Sequence, residues 1–475
     1  MCFTMDKTMA HNVADNKAMV WESSDKLAAD SRLNLGKVED HRPPVVDLPT
    51  VESVSHMQRP KYPTTYIETL ENHLKTNIAS GMFAMGDAFK NAGLLLAPVL
   101  TMFLGCLCVF NQHILVNSAN RMREQRKLNY YPNFNDTVDL CFDSGPPLFR
   151  KFAKHSRFAV NFFIIVAQLG FCCVYIVFVT STSQQILHYF GYEIEIHLNM
   201  VITQVFITMT IFIRNLKYLA PVSLFATVTM VIGIALTLYL SSEDIPPITD
   251  RHAVASLHQL PLFFGTVVYA YEGIGAVLPL QSEMKNPEKF STPLGVLNVG
   301  NLIVTVLLLS TGFIGYLKYG EAVEGSLTLN LPYESILSQF VKITIAIGML
   351  LTYPIVMYVP HTIIWPAIVK RWGPFERKIL YEYLVKLILC LITFVLAEVV
   401  PNLSVFISLV GAVSSTALAL VFPPLCDLSI RWKHQDFGTL RWRMAVDFIT
   451  LVVAVFGFCT GTYYSLVEIV NTFKT

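Results

Sequence analysis

The chain has 475 residues, of which 53% are hydrophobic and only 15% are charged. A soluble globular chain carries about 25% charged residues, so this composition excludes an ordinary soluble protein and indicates that lipid is the solvent. The formal net charge of +1 gives no support for a nucleic-acid partner, which would need a strongly basic surface.

The first sixty residues differ in character from the rest of the chain. They are polar, mixed in charge and without sustained hydrophobic periodicity, so residues 1–60 are predicted to form a disordered cytoplasmic tail. They contain no basic stretch followed by an apolar run, and a cleavable signal peptide is therefore not expected. Residues 61–475 are predicted to form one membrane domain whose first apolar segment acts as its own signal.

After Pro63, apolar runs long enough to cross about 30 Å of hydrocarbon recur to the end of the chain. All are expected to be helices, because backbone groups in lipid must satisfy their own hydrogen bonds. We number the eleven predicted segments in chain order: 67–92, 94–116, 158–187, 198–213, 220–240, 260–280, 294–317, 340–368, 383–400, 403–425 and 446–470.

Lys and Arg are distributed unevenly between the two sets of loops. Most of them lie in one set, at residues 121–127, 150–157, 214–217, 285–289, 370–378 and 431–443. The opposite set carries acids instead, namely Glu193, Glu195, Glu243, Asp244, Glu321 and Glu324. Because basic loops stay in the cytoplasm, this bias predicts a cytoplasmic N-terminus and a C-terminus outside or in a lumen.

The nine cysteines lie in apolar runs or in predicted cytoplasmic segments, and none has a His partner at metal-ligand spacing. We expect them to be small buried hydrophobes, with no structural disulfide and no metal site. No cofactor is expected either. Since no nucleophile lies near a base in a suitable aqueous site, the sequence does not indicate an enzyme.

Segment 1 carries polar residues and poor helix formers at mid-depth, in the stretch "KTNIASG" from Lys75 to Gly81. A helix that breaks inside the membrane is tolerated only where its backbone lines a cavity or is buried in protein. The break would aim N–H groups around Ser80, Gly81 and Met82 at the bilayer centre, where they suit a carboxylate. The alternative is a packing seam, since small residues also let helices approach closely.

Segment 6 has a matching feature, Glu272-Gly273-Ile274-Gly275, at its centre. An acid in a spanning helix is costly and is a functional candidate by default. Segments 1 and 6 are five apart, which fits two inverted five-helix repeats whose first helices unwind around a substrate. Carbonyl groups near Tyr269 and Ala270 could then hold an ammonium group. The alternative is a structural acid that bonds to neighbouring helices.

Other polar groups within the segments are interpreted as structural. Asp87 and Lys90 are spaced i, i+3 and are predicted to pair near the outer surface. Tyr353-Pro354 and Tyr358 mark a kinked helix in segment 8, for which core packing is favoured over a place beside a substrate pathway.

Four motifs resemble the proton-coupled amino acid transporters, a branch of the amino acid/auxin permease family. They are "HLKTNIASGMFAMGDAFKNAGLL", "AQLGFCCVYIVFV", "YAYEGIGAVLPLQSEMKNP" and "IGMLLTYPIVMYVP", and they occur in the family's order. The likeness covers about residues 61 to 470. It implies the eleven-helix amino-acid-transporter fold with 5+5 inverted repeats, small neutral amino acids as substrates, and protons as coupling ions.

The chain departs from the family in the first motif, where the family usually reads H-L-x-K-G-N-I-G-[TS]-G. The family histidine, a candidate for proton coupling, aligns with Asn72, and His73 lies one residue on, about 100° around the helix. His73 either takes over that role or faces lipid or another helix. Two family glycines are replaced by Thr76 and Ala79. Ala79 strains the break if its φ must be positive, and otherwise its methyl group narrows the pocket.

The first functional hypothesis is a secondary active transporter of small neutral amino acids, driven by proton symport and alternating access. The predicted substrate-binding residues are Asn77, Ala79, Ser80, Gly81, Met82, Tyr269, Ala270, Glu272 and Gly273, and the predicted proton-coupling groups are His73 and Glu272. The second hypothesis is an amino-acid sensor that signals to a cytoplasmic partner with little or no flux. We expect the plasma membrane as the location, with an endosomal or lysosomal membrane as the alternative.

Overall fold

The computed structural model describes residues 63–212, 216–434 and 442–473. The predicted tail at residues 1–60 and the loop at 435–441 lie outside them. The first of the α-helices begins at a capping box: Glu68 N–H bonds to the Thr65 hydroxyl, and the Glu68 carboxylate accepts from Thr65 N–H at 2.7 Å.

The α-helices of the described residues are numbered here in chain order. They are α1 Tyr66–Asn77, α2 Ser80–Phe83, α3 Met85–Ala92, α4 Leu96–Gln125, α5 Phe134–Ser144, α6 Pro147–Tyr189, α7 Ile196–Ile211, α8 Leu216–Ser241, α9 Leu260–Ala270, α10 Ile274–Glu283, α11 Val296–Tyr319, α12 Ile336–Trp372, α13 Lys378–Val399, α14 Leu403–Val410, α15 Phe422–His434 and α16 Trp442–Thr472. Two π-helical turns, Gly411–Ser415 and Ala417–Val421, join α14 to α15.

Each predicted segment coincides with one or more of these helices. Segment 1 comprises α1 to α3, segment 6 comprises α9 and α10, and segment 10 comprises α14, the two π turns and α15. Within the described residues, 9 helical stretches are long and apolar enough to cross a membrane, whereas α7 in segment 4 has only 16 residues. The predicted all-α membrane fold with broken helices 1 and 6 is confirmed, while the number eleven stays a prediction.

Helix α5 has no counterpart among the predicted segments. Asn133 caps its start by accepting the Asp136 N–H at 2.8 Å. The helix packs against α6 and α15, with Val138 and Cys141 buried at its contact face. It is therefore a short amphipathic helix in the loop between segments 2 and 3, attached to the bundle on the side of the basic loops.

The outside of the bundle is apolar. Helix α13 illustrates this, because it exposes a stripe of large aliphatic side chains: Leu380, Leu384, Leu387, Leu391 and Val395. Soluble proteins rarely expose such continuous apolar patches, so this face is in contact with lipid. The long helix α6 is partly exposed in its first half and buried around Cys172 to Val179, and it packs against α5, α7, α12, α13 and α14.

Segments 1 and 6 lie antiparallel and are joined at both ends. At one end, Thr64 N–H donates to Glu283 O at 2.8 Å, next to α1 and α10. At the other end, Leu94 N–H donates to His252 O at 2.9 Å. The turn that joins segment 1 to segment 2 needs Gly93, whose φ of +92° is unfavourable for residues with a side chain. This arrangement places the two broken regions at the same depth.

Candidate functional site

Segment 1 breaks at the predicted position. Helix α1 ends at Asn77, Ile78 has φ −82° and ψ 83°, and Ala79 is extended with φ −140° and ψ −162°. Helix α2 then begins, and the N–H groups of Ser80 and Gly81 in its first turn have no acceptor within the helix. The Met82 N–H differs, since it donates to Ala79 O at 3.1 Å. Two of the three predicted carboxylate donors are therefore available.

Segment 6 breaks over three residues between α9 and α10. Tyr271 has φ −90° and ψ 8°, and Gly273 has φ −125° and ψ 0°. Glu272 lies between them, so its side chain and the carbonyl groups at the end of α9 are at the break. This position agrees with the interruption predicted from the Glu-Gly-Ile-Gly run.

The two breaks contact each other directly. A Cβ atom added to Gly81 would lie 2.8 Å from Ala270 Cα, so glycine allows the backbones of segments 1 and 6 to touch. A Cβ atom added to Gly273 would lie 2.8 Å from Asn77 Oδ1. The small residues of both breaks therefore form a close seam, and the predicted site residues lie together within it.

A hydrogen bond connects the two breaks. Ser80 Oγ and the Tyr269 hydroxyl are 2.7 Å apart, and both side chains are buried. The ring of Phe171 on α6 meets the Tyr269 ring edge-on, with 4.9 Å between centroids. Aromatic side chains therefore close one side of the region around Ser80 and leave little space beside Gly81.

Polar atoms without partners remain at the breaks. Asn77 donates its Nδ2 to His73 O at 2.9 Å, whereas its Oδ1 is buried and has no partner among the described residues. Glu272 Oε2 is likewise buried and has no partner that meets hydrogen-bond geometry among the described residues, although the Ser415 hydroxyl lies beside the Glu272 carboxyl group. Buried polar groups are normally hydrogen-bonded, so each of these two acceptors lacks an expected donor.

The two altered residues of the first motif differ in position, since Ala79 lies in the break and Thr76 does not. Thr76 is exposed, and its hydroxyl donates to Asn72 O at 2.9 Å. The φ of Ala79 is negative, so its methyl group causes no backbone strain and the strained alternative is excluded. His73 is buried against Gly300 of α11, so its ring faces another helix and not lipid.

Sequence reasoning missed the contribution of segment 10. Its first π turn packs against α9, where a Cβ atom on Gly411 would lie 1.9 Å from Gly265 O. The same turn carries Ser415 to the side chain of Glu272. Such π turns are frequent at functional sites. The run of small residues from Gly411 to Thr416 was the available signal for this close approach.

Two cavities lie away from the breaks. One of about 310 Å³ is bounded by α6, α7 and α12, and one of about 500 Å³ lies at the start of α13. Neither is lined by a residue of the two breaks, which pack against each other in this conformation. Among the described residues, no group of three or more His, Cys, Asp or Glu side chains is arranged to hold a metal ion.

The sequence matches a family of known proteins over most of its length. A family model described as "Transmembrane amino acid transporter protein" matches residues 63–467. The chain is 32% identical over 414 residues to the proton-coupled amino acid transporter-like protein pathetic of Drosophila melanogaster, covering 87% of each chain. It is 27% identical over 424 residues to the probable amino acid transporter skat-1 of Caenorhabditis elegans, covering 87% of this chain and 91% of that protein.

Two solved structures share the fold at low sequence identity. The inward-facing conformation of Mhp1 has a TM-score of 0.51 and 13% identity, covering 87% of this chain and 91% of the other. MhsT in complex with L-phenylalanine has a TM-score of 0.50 and 11% identity, covering 85% of this chain and 100% of the other. Together with the family match and the apolar exterior of the helices, these similarities show that the chain is an integral multi-pass membrane protein of the transmembrane amino acid transporter family, the amino acid/auxin permeases.

Proposed function

We propose that this protein is a secondary active transporter of small neutral amino acids, working by proton symport and alternating access. The observation that carries the proposal is the meeting of the two helix breaks, where Asn77 Oδ1 and Glu272 Oε2 are buried without donors among the described residues. An α-ammonium group has three N–H donors and complements two such acceptors. Unwound helices at mid-membrane that hold a substrate are typical of transporters built from inverted repeats.

The carboxylate of the amino acid would lie on the segment 1 side of the seam. The N–H groups of Ser80 and Gly81 and the Ser80 hydroxyl are the donors there. The ammonium group would face Glu272, Asn77 Oδ1 and the carbonyl groups at the end of α9. A substrate with a small side chain fits this arrangement, because Gly81 touches Ala270 and the Tyr269 ring fills the adjoining space.

Protons are proposed as the coupling ions, with Glu272 and His73 as candidate carriers. Glu272 lies at the seam, where proton binding and substrate binding would affect the same carboxyl group. The role of His73 would be indirect: its ring lies against α11, and its backbone carbonyl accepts from Asn77. We further propose a cytoplasmic N-terminus and a plasma-membrane location, with an endosomal or lysosomal membrane as the alternative.

The sensor hypothesis keeps only part of its support from the altered first motif. It rested on Thr76 and Ala79 as changes that disable or respecify the site. Thr76 faces outward and the backbone of Ala79 is unstrained, so the remaining argument is that the Ala79 methyl group narrows the pocket. The predicted tail that would contact a cytoplasmic partner lies outside the described residues. Flux measurements therefore decide between a transporter and a sensor.

Glu272→Gln tests the ammonium side of the site. Hydrogen bonds to a charged group contribute about 1.5–3 kcal/mol, so we expect the substrate concentration at half-maximal uptake to rise about 10- to 150-fold. The measurement is uptake of labelled glycine, alanine and proline by cells with matched surface expression. Glu283→Gln is the control, since Glu283 is exposed at the far end of α10. Unchanged uptake kinetics in Glu272→Gln would remove this carboxyl group from the mechanism.

A further inference from the structure

Two acidic side chains meet where segments 10 and 11 pack together, away from the helix breaks. Asp427 lies on α15 and is 8% exposed, and Asp447 lies on α16 and is 1% exposed. The Asp447 carboxyl group is within hydrogen-bonding reach of the Asp427 carboxyl group. Both are about two helical turns or less from the loop that joins α15 to α16, on the side of the basic loops.

The two carboxyl groups have different surroundings. Asp427 pairs with Arg431 one turn further along α15, with 2.5 Å between Oδ2 and Nε. Both carboxyl oxygens of Asp447 are buried and have no donor among the described residues. A bare carboxylate in such a place is strongly unfavourable, because burial removes its hydration and nothing replaces it.

One proton bound to the pair would remove the cost of burying an ionised Asp447 carboxylate. Two ionised carboxylates are both acceptors and cannot bond to each other, but a protonated carboxyl group donates to an ionised one. When two carboxyl groups share a site, mutual repulsion favours the state with one proton between them. Arg431 then balances the remaining negative charge of the pair.

The elements packed against this pair differ in charge. Helix α16 also packs against α9, α14 and the two π turns, whose only ionisable side chain is the Tyr269 phenol of α9. Helix α15 also packs against α4, which carries Arg121, Arg123 and Glu124, and against α5, which carries Asp136, Asp139 and Asp143. On its own helix, Arg443 precedes Asp447 by one turn and lies over the Trp442 ring. Around Asp427 lie the thiols of Cys426 and Cys141, and the latter is also near Arg121 of α4.

We propose that Asp427 and Asp447 form a proton-binding site that takes part in coupling, with one proton shared between the two carboxyl groups. The coupling role rests on the function proposed above, whereas the proton site stands on the geometry of the pair. Segment 10 connects the two places, because its π turn carries Ser415 to Glu272 and its last helix carries Asp427. A movement of segment 10 would therefore alter both sites together.

Infrared spectroscopy of the purified protein in lipid tests the proton site without transport. At about pH 7 an exposed Asp is ionised, so a band of a protonated carboxyl group identifies an unusual site. We expect the spectrum of the wild-type protein minus that of Asp447→Asn to contain such a band, shifted in D₂O. Asp427→Asn should remove the same band, and the exposed control Asp143→Asn should leave it. If the difference spectrum of wild type minus Asp447→Asn lacks this band, the proposal is overturned.

Uptake into proteoliposomes tests the coupling role with the same variant. Asp447→Asn keeps the shape of the pair and supplies a permanent donor to Asp427. We expect it to retain exchange of amino acid between the two sides but to lose accumulation driven by a pH gradient. Full accumulation by this variant would overturn the coupling role. A wild-type protein without flux would instead contradict the proposed function, and the infrared result would still decide the proton site.

Discussion

Gly81 is the residue at which the two broken helices come closest. Its neighbour across the seam is backbone, not a flexible side chain, so a larger residue cannot be accommodated by a change of rotamer. Asn77, Ser80 and Tyr269 lie around this contact, and the hydrogen bond between Ser80 and Tyr269 depends on the same separation of the two segments. One missing side chain therefore sets the geometry of the whole site.

Gly81→Ala should separate the two breaks and impair both stability and transport. Overpacking of this kind costs about 1–3 kcal/mol, which a lower unfolding temperature of the purified protein would reveal. Gly275→Ala is the matched control, because Gly275 is exposed in α10 and an added Cβ meets no atom within 4 Å. If both variants unfold and transport alike, close contact at Gly81 does not matter.

At the scale of the helices, α3 is held in place by a buried ion pair. Lys90 Nζ lies 2.7 Å from Asp87 Oδ1, which confirms the predicted i, i+3 pair, and Asp87 is only 2% exposed. Lys90 also donates to Val323 O at 2.9 Å, and Ser404 at the start of α14 donates to Asp87. The end of segment 1 is thus tied to segment 10 and to the loop after α11.

Lys90→Met should destabilise the protein more than the loss of one surface pair would. It leaves the Asp87 carboxylate buried without its counter-charge, a change that costs about 3–5 kcal/mol. The double variant Asp87→Asn, Lys90→Met should recover most of the loss, since no buried charge remains. Thermal unfolding in detergent measures the stability of the single and the double variant. Lys289→Met is the control, because Lys289 is exposed. A double variant as unstable as Lys90→Met would show that packing, and not charge, is responsible.

At the scale of the whole molecule, much of the fold could be predicted from the sequence because lipid imposes long apolar helices. The breaks were predictable as well, since polar residues, glycines and Glu272 within a span have few structural explanations. Apart from the meeting of segments 1 and 6, contacts between distant segments were not predictable. The π turns of segment 10, the position of α5 and the pairing of Asp427 with Asp447 arise from packing that no local pattern encodes. The direction in which Thr76 faces depends on packing in the same way.

In the proposed mechanism, the antiparallel pairing of segments 1 and 6 allows one fold to open to either side. Their breaks lie at the same depth and their ends are joined, so they can move as a unit against the surrounding helices. Rocking of such a unit exposes the central site to each side in turn. Such a movement requires that the amino acid crosses the membrane and does not only bind.

Accumulation of labelled glycine, alanine or proline in proteoliposomes of the purified protein, without sodium and with a pH gradient, tests this requirement most directly. The account predicts accumulation above the outside concentration that collapses when a protonophore removes the gradient, and that is strongly reduced in Glu272→Gln. Binding of the amino acid without accumulation, by protein shown to be folded, would contradict it and would identify a sensor.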